Sequence, residues 1–351
     1  MMLDDINVLT QRDSEKTLDS SAIQYEQLTM DVEVRNPAHD QRTVSNIVFA
    51  GMGGSALAPE LALSWIGDAI KRPFEIVKSY QLPSYVGQES LVFVSSCSGN
   101  TEEVLEALGT ARERGAQVAV IAGGGKLVEQ AEVHGISHIV LPPVKVQPRM
   151  LTFVQLRSLV TLLGHFGVVE AQPLLDEIAS THDWLRDQSQ GWHKEVPTDK
   201  NYAKQLALTA VGKTPIFYGG QVTKALAYKW KISWNENAKN VAFCNQLPEF
   251  NHNEFIGWSS HPVDKPFAVF DLVSQHEHDR ILKRFDISDR LLSGQRPKAA
   301  RIDLPEGSVL QQLLWGNVLA DYASIYVGIL NNVDPGPVPL VTKLKDELGK
   351  V

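Results

Sequence analysis

The chain has 351 residues, 43% of them hydrophobic and 21% charged, with a formal net charge of −8. That length accommodates two domains with substantial cores, and the acidic balance gives no general attraction to nucleic acid or to an anionic membrane surface. The two cysteines, Cys97 and Cys244, stand far apart in no paired spacing, which argues against a disulfide framework and against a thiolate zinc site.

The opening stretch MMLDDINVLTQRD places acidic residues where a secretory leader needs positive charge followed by an apolar run, so a cytoplasmic protein is expected. Residues 1–40 are polar and read as an N-terminal leader packing on the first domain. TVSNIVFAGMGGSALAPELALSWIG then gives a strand, a glycine turn and a helix. PFEIVKSY, SLVFVSSCSG, QVAVIAGGG and HIVLPPV read as four further strands, with TEEVLEALGTARERGA as a helix between them. Residues Leu151 to Val169 read as a buried helix rather than a membrane span, because Gln155, Arg157 and His165 interrupt the apolar run. This first domain is expected over 41–170, followed by a polar helical linker over 171–200. A second alternation fills 201–351: TPIFYGGQ, a helix near Thr223–Trp230, NVAFCNQ, KPFAVFDLVSQ, AARIDLP and a long apolar helix in LQQLLWGNVLADYASIYVGILNNV. Apolar strands alternating with helices predict an α/β protein with parallel sheets covered on both faces, here as two similar domains.

Two turns in the first half carry chemistry. At Gly51-Met52-Gly53-Gly54-Ser55, glycines let the backbone turn tightly and bring its N–H groups close to a ligand. At Ser95 to Thr101, four hydroxyls, a glycine and an asparagine separate a strand from a helix that begins with two glutamates. Helix N-termini present unpaired N–H donors and the positive end of a dipole, so both turns suit an anion such as phosphate. A plain capping box also accounts for Thr101, Glu102 and Glu103. GMGGSA formally satisfies the dinucleotide pattern G-x-G-x-x-A, with Glu75 lying 24 residues after Gly51 as the ribose-binding acid. That reading leaves the Ser95–Thr101 cluster unused.

The densest polar stretch is KISWNENAKNVAFCNQLPEFNHNEFIGW, which sets Glu236, Lys239, Glu249, His252 and Glu254 among five aromatics. Such a mixture suggests polar groups held at the edge of an apolar cleft. Glu236 is the candidate general base, and His252 can donate or accept a proton near neutral pH. A surface glutamate and a structural histidine are the plainer alternatives. His252 with Glu254, and His276 with His278, are each two residues apart, and neither pair makes a three-ligand metal motif. SQHEHD reads as a solvated loop, and no metal is expected.

GMGGSA, SCSGNTEE, NENAKN and FNHNEFIGW together resemble the bifunctional phosphoglucose/phosphomannose isomerases of the sugar-isomerase (SIS) fold superfamily. The resemblance implies two SIS-type αβα sandwich domains, phosphorylated hexoses as substrates, no cofactor, no nucleic-acid or membrane partner, and a homodimer. It implies phosphate contacts from Gly53, Gly54, Ser55, Ser96, Ser98 and Thr101, and Glu236 as the base that moves a proton between C1 and C2. It further implies that His252 opens the sugar ring from the neighbouring subunit. Arg149 in VQPRMLT would stabilise the enediolate, and Lys345 in VTKLKDEL, with Lys343 as the alternate register, would assist ring opening. The sequence departs from that family at Cys97, where a tyrosine is more usual, and at Asn240-Val241, where a small apolar residue and proline are expected. The Cys97 side chain is expected to point away from the phosphate. Amidotransfer on the same fold and a non-enzymatic phosphosugar sensor are the alternatives. The first would need an ammonia-supplying domain, and the second a DNA-binding segment of basic helices.

Overall fold

The computed structural model describes residues 1–260 and 264–349. The chain opens with two short helices, α1 (Ile6–Arg12) and α2 (Thr17–Ala22). Strands and helices then alternate as β1 (Asn46–Gly51), α3 (Leu57–Ile66), β2 (Phe74–Val77), β3 (Ser90–Ser96), α4 (Glu102–Glu113), β4 (Gln117–Ala122), α5 (Gly125–Val133) and β5 (Ser137–Val140). Helices α6 (Thr152–His165) and α7 (Ala171–Ser189) follow. The five strands pair in parallel in the order β2-β1-β3-β4-β5. Strand β3 is buried along its whole length, which is why it reads as a continuous apolar run rather than an alternating one. Val48, Val92, Val94 and Val120 from the sheet meet Leu108 and Leu127 from α4 and α5 in one core.

The second alternation runs α8 (Tyr202–Ala210), β6 (Thr214–Gly219), α9 (Lys224–Asn237), β7 (Phe243–Gln246), α10 (Glu254–Gly257), β8 (Phe267–Val273), α11 (Asp279–Leu291), β9 (Ala300–Asp303), α12 (Val309–Leu330) and α13 (Pro339–Leu348). Its four strands are also parallel, in the order β7-β6-β8-β9. Both sheets therefore reverse their winding beside a central strand, between β1 and β3 in one and between β6 and β8 in the other. In an open α/β sheet the crevice at such a reversal, beyond the carboxyl ends of the strands, is where ligands bind.

The chain divides into two compact units. One holds the first sheet and comprises 23–186 with 307–314; the other holds the second sheet and comprises 1–22, 187–306 and 315–351. The stretch read as a leader over 1–40 is thus split. Its first part is tied to the second-sheet unit, where Asp4 accepts the Thr198 N–H at 2.8 Å and hydroxyl at 2.7 Å, and Arg12 donates to the Ile329 carbonyl at 2.7 Å. Gln27, in the other unit, donates to the Met150 carbonyl at 2.8 Å and accepts the Val154 N–H at 3.2 Å.

Among the described residues, one helix is long and apolar enough to cross a membrane. It is α12, with a mean hydropathy of 1.3, and 94% of that window is buried inside the protein. The 151–169 stretch forms a shorter helix, α6, whose Gln155 is buried.

The second-sheet core contains a buried acid. Asp271 on β8 is 5% exposed, and burial pushes its carboxyl up from 3.8 to about 7, against the opposing pull of the Arg296 guanidinium. The folded protein therefore keeps a proton on Asp271 at pH values where the unfolded chain has released it. Stability from this group is complete below about pH 4 and is lost as pH rises towards 7. Denaturation midpoints measured from pH 5 to 8 should fall in the wild type relative to Asp271→Asn, and parallel curves would exclude this assignment.

Candidate active site

The first-sheet unit places both expected turns at its winding reversal. β1 ends at Gly51, and the chain enters a tight 3-10 turn over Gly53–Ala56, with Gly53 at φ +52°. A side chain at Gly54 would bring its Cβ to 3.0 Å from the Arg149 Cα and 3.2 Å from the Pro148 carbonyl. The segment carrying Arg149 thus lies directly against this turn, and Arg149 itself is only 2% exposed.

β3 ends at Ser96, and the hydroxyls beyond it bond to each other. Ser96 Oγ lies 2.7 Å from Thr101 Oγ1 and 3.3 Å from Ser98 Oγ, and it accepts the Gly99 N–H at 3.1 Å. Thr101 occupies the N-cap position of α4, yet its side chain makes no capping bond to the helix. That counts against the plain capping box. A capping box would send the Thr101 oxygen to a first-turn N–H, whereas here it joins Ser96 in a small hydroxyl cluster beside the helix N-terminus.

The next strand end locks the cluster in place. Gly99 has φ +69°, and a Cβ there would stand 1.7 Å from the Gly124 carbonyl oxygen, so only glycine fits. Asn100 Oδ1 accepts the Lys126 N–H at 3.1 Å, tying the turn after β3 to the one after β4. Ser55 closes the link to β1, because its Oγ accepts the Cys97 N–H at 3.2 Å. The Cys97 side chain, expected to point away from the phosphate, is held between Ser55 and Gln155. Its sulfur lies 3.4 Å from Ser55 Oγ and accepts a hydrogen bond from Gln155 Nε2 at 2.7 Å. The sequence marks Gln155 only as a polar break in the apolar run of α6 and Asn100 only as part of the turn after β3; the fold alone brings the Gln155 amide to Cys97.

The remaining candidates belong to the second-sheet unit. Glu236 sits half-buried in the last turn of α9, and Lys239 Nζ donates to its carbonyl at 2.7 Å. This helix was expected to end near Trp230 and instead continues to Asn237. The first half of the NENAKN motif, Asn235 to Asn237, is therefore helix end. His252 is exposed at the end of a 3-10 turn over Glu249–His252. The following Glu254 anchors that turn to the sheet, accepting the Tyr218 hydroxyl and the Asn245 amide, the latter at 2.7 Å. Lys343 and Lys345 lie on α13, whose described residues are all exposed.

The aromatics of this stretch serve different places. Trp234 is buried against Phe217, Trp230 and Phe270; Phe250 packs on Tyr218; Phe243 is exposed. Among the described residues no group of three or more His, Cys, Asp or Glu side chains is placed to hold a metal ion. The SQHEHD stretch departs from a solvated loop at two residues, Ser274 and Glu277, which are buried.

Two parallel sheets that each reverse their winding beside a central strand, the first with a glycine turn and a hydroxyl turn at the reversal, define a protein of the SIS-domain class. A family model for the bacterial phospho-glucose isomerase C-terminal SIS domain matches residues 199–348. The chain is 35% identical over 312 residues to the bifunctional phosphoglucose/phosphomannose isomerase of Caldicellulosiruptor bescii, covering 88% of this chain and 91% of that one. It is 32% identical to the protein of the same description from Aquifex aeolicus, covering 89% and 93%. Among solved structures, the C-terminal domain of glucosamine-fructose-6-phosphate aminotransferase from Francisella tularensis superposes with a TM-score of 0.69 at 15% identity, over 94% of this chain and 98% of that one. At that identity the match speaks for the fold alone. The chain belongs to the SIS-domain sugar isomerase family related to the bifunctional phosphoglucose/phosphomannose isomerases, a family of phosphosugar enzymes of carbohydrate metabolism.

Proposed function

We propose that this protein interconverts glucose 6-phosphate and fructose 6-phosphate, and mannose 6-phosphate and fructose 6-phosphate, by proton transfer between C1 and C2. The observation that carries the reading is the Ser96–Ser98–Thr101 cluster at the β1/β3 reversal, taken together with relatives that are described as acting on both aldoses.

In this reading Gly53, Gly54, Ser55, Ser96, Ser98 and Thr101 hold the phosphate. Hydroxyls and backbone N–H groups give several short bonds in a small volume, and they anchor the end of the sugar that does not react. His252, reaching from the partner copy of a homodimer, and Lys345 open the ring. Glu236 takes the C2 proton of the open aldose, leaving an enediolate, and returns a proton to C1 to give the ketose. The Arg149 guanidinium stabilises the oxygen that gains negative charge, where binding contributes directly to rate. No electrons leave the sugar, so the step needs no redox partner.

The test is direct. Protein stripped of metal with a chelator is given glucose 6-phosphate or mannose 6-phosphate, and fructose 6-phosphate is followed. Turnover of both is expected. Binding of the phosphosugars with no ketose formed would instead support the sensor reading.

A further inference from the structure

The second sheet has the same winding reversal as the first, and something already occupies it. β6 ends at Gly219, and the chain turns through Gly220, Gln221, Val222 and Thr223 into the 14-residue helix α9. Glu277, which follows β8 on the other side of the reversal, is 4% exposed and inserts its carboxylate into this turn. Its Oε2 accepts the Gln221 N–H at 2.8 Å, and its Oε1 accepts the Val222 N–H at 2.9 Å and the Thr223 N–H at 3.0 Å. Thr223 Oγ1 lies 3.2 Å from the same Oε1, oriented by the Gly220 N–H that donates to it at 2.7 Å. A Cβ at Gly220 would come within 2.3 Å of the Glu277 carboxyl carbon, so the turn closes on the carboxylate with no space to spare.

Three consecutive backbone N–H groups at a helix N-terminus make an oxyanion site, whereas the Thr223 hydroxyl also donates to the Leu272 carbonyl at 2.8 Å. In the first sheet the matching turns meet where Ser55 Oγ accepts the Cys97 N–H. In the second they meet at a carboxylate. We propose that the Gly219–Thr223 turn is an oxyanion-binding site whose resident ligand is the chain's own Glu277, which fixes the start of α9 and thereby positions Glu236 in its last turn. Glu277 is a positioning residue and touches no substrate; that second clause rests on the reading of Glu236 as the base, whereas the anion site does not.

The experiment replaces the internal ligand by an external one. Glu277→Ala removes the carboxylate and leaves room for formate, which carries the same two oxygens. Melting midpoints are measured in sodium formate, sodium phosphate and sodium chloride at equal ionic strength. Glu277→Ala should melt at least about 5 °C below wild type in chloride and recover much of that loss in formate, while wild type shows no such preference. Its kcat for isomerisation should fall about tenfold with KM within about twofold, because the phosphate end is held elsewhere, and formate should restore kcat. If Glu277→Ala does not fold in chloride, refolding in formate is expected, and failure there counts against the site. Glu277→Gln, which fills the space without charge, should be destabilised and insensitive to formate. A Glu277→Gln protein as stable as wild type, or a Glu277→Ala protein that gains no more from formate or phosphate than from chloride, overturns the proposal. Melting data decide the anion site even in a protein that isomerises nothing.

Discussion

Glu236→Gln is expected to leave a folded protein that binds phosphosugars within about threefold of wild type and turns them over about a thousandfold more slowly. Glutamine keeps the size and hydrogen-bonding reach of glutamate but has no oxygen basic enough to accept a C2 proton. Loss of a positioned general base typically costs about 10²–10⁴-fold. The defect should fall in kcat and leave KM nearly untouched, since the proposed phosphate contacts lie in another part of the chain. Stability should change little, because Glu236 is only half-buried at a helix end. Steady-state kinetics on both aldoses, with a melting curve of the same preparation, read all three quantities. Turnover within tenfold of wild type would falsify the base assignment.

The second large effect concerns stability. Lys229 on α9 and Asp321 on α12 are both 0% exposed, and their charged groups lie 2.8 Å apart. Ser233, one turn further along α9, donates to the same Asp321 oxygen at 2.8 Å. Removing one partner of such a pair strands the other charge away from water, at a cost of about 3–5 kcal/mol. Lys229→Met should therefore lower the melting midpoint by roughly 10 °C, at about 2–4 °C per kcal/mol for a unit of this size. Replacing both partners removes the stranded charge, so Lys229→Met with Asp321→Leu should regain part of the loss. A Lys229→Met midpoint within about 2 °C of wild type would mean that the pair contributes no such energy.

Much of this architecture is legible in the residues because parallel strands buried on both faces must be apolar throughout. Of the nine strands among the described residues, eight fall inside segments that read as strands and the other, β5, begins one residue before HIVLPPV. The glycine and hydroxyl turns are legible for a related reason: few residue types tolerate a positive φ or place an oxygen beside a helix start. Helix α9 runs past its expected end because Trp234 is buried among aromatics and the Asn237 side chain donates to Ser324 Oγ at 2.8 Å. Both partners of that bond are hidden to local periodicity. Glu277 was missed because its donors, Gln221 to Thr223, are more than 50 residues upstream, and its neighbours in SQHEHD are polar and mostly exposed. A carboxylate that answers a distant turn leaves no pattern in the sequence around it. The split of residues 1–40 escaped for the same reason, since Asp4 finds its partner at Thr198.

Fourteen residues at about 1.5 Å each make α9 a rod on the order of 20 Å long. It is gripped near its head by Glu277, along its shaft by Asp321 and at its foot by Ser324. A rod clasped at three levels does not flex to absorb a small error at one end; it carries the offset along its axis. Amino-acid changes near Gly220 should therefore be felt at Glu236 as lost rate, with no residue in between altered.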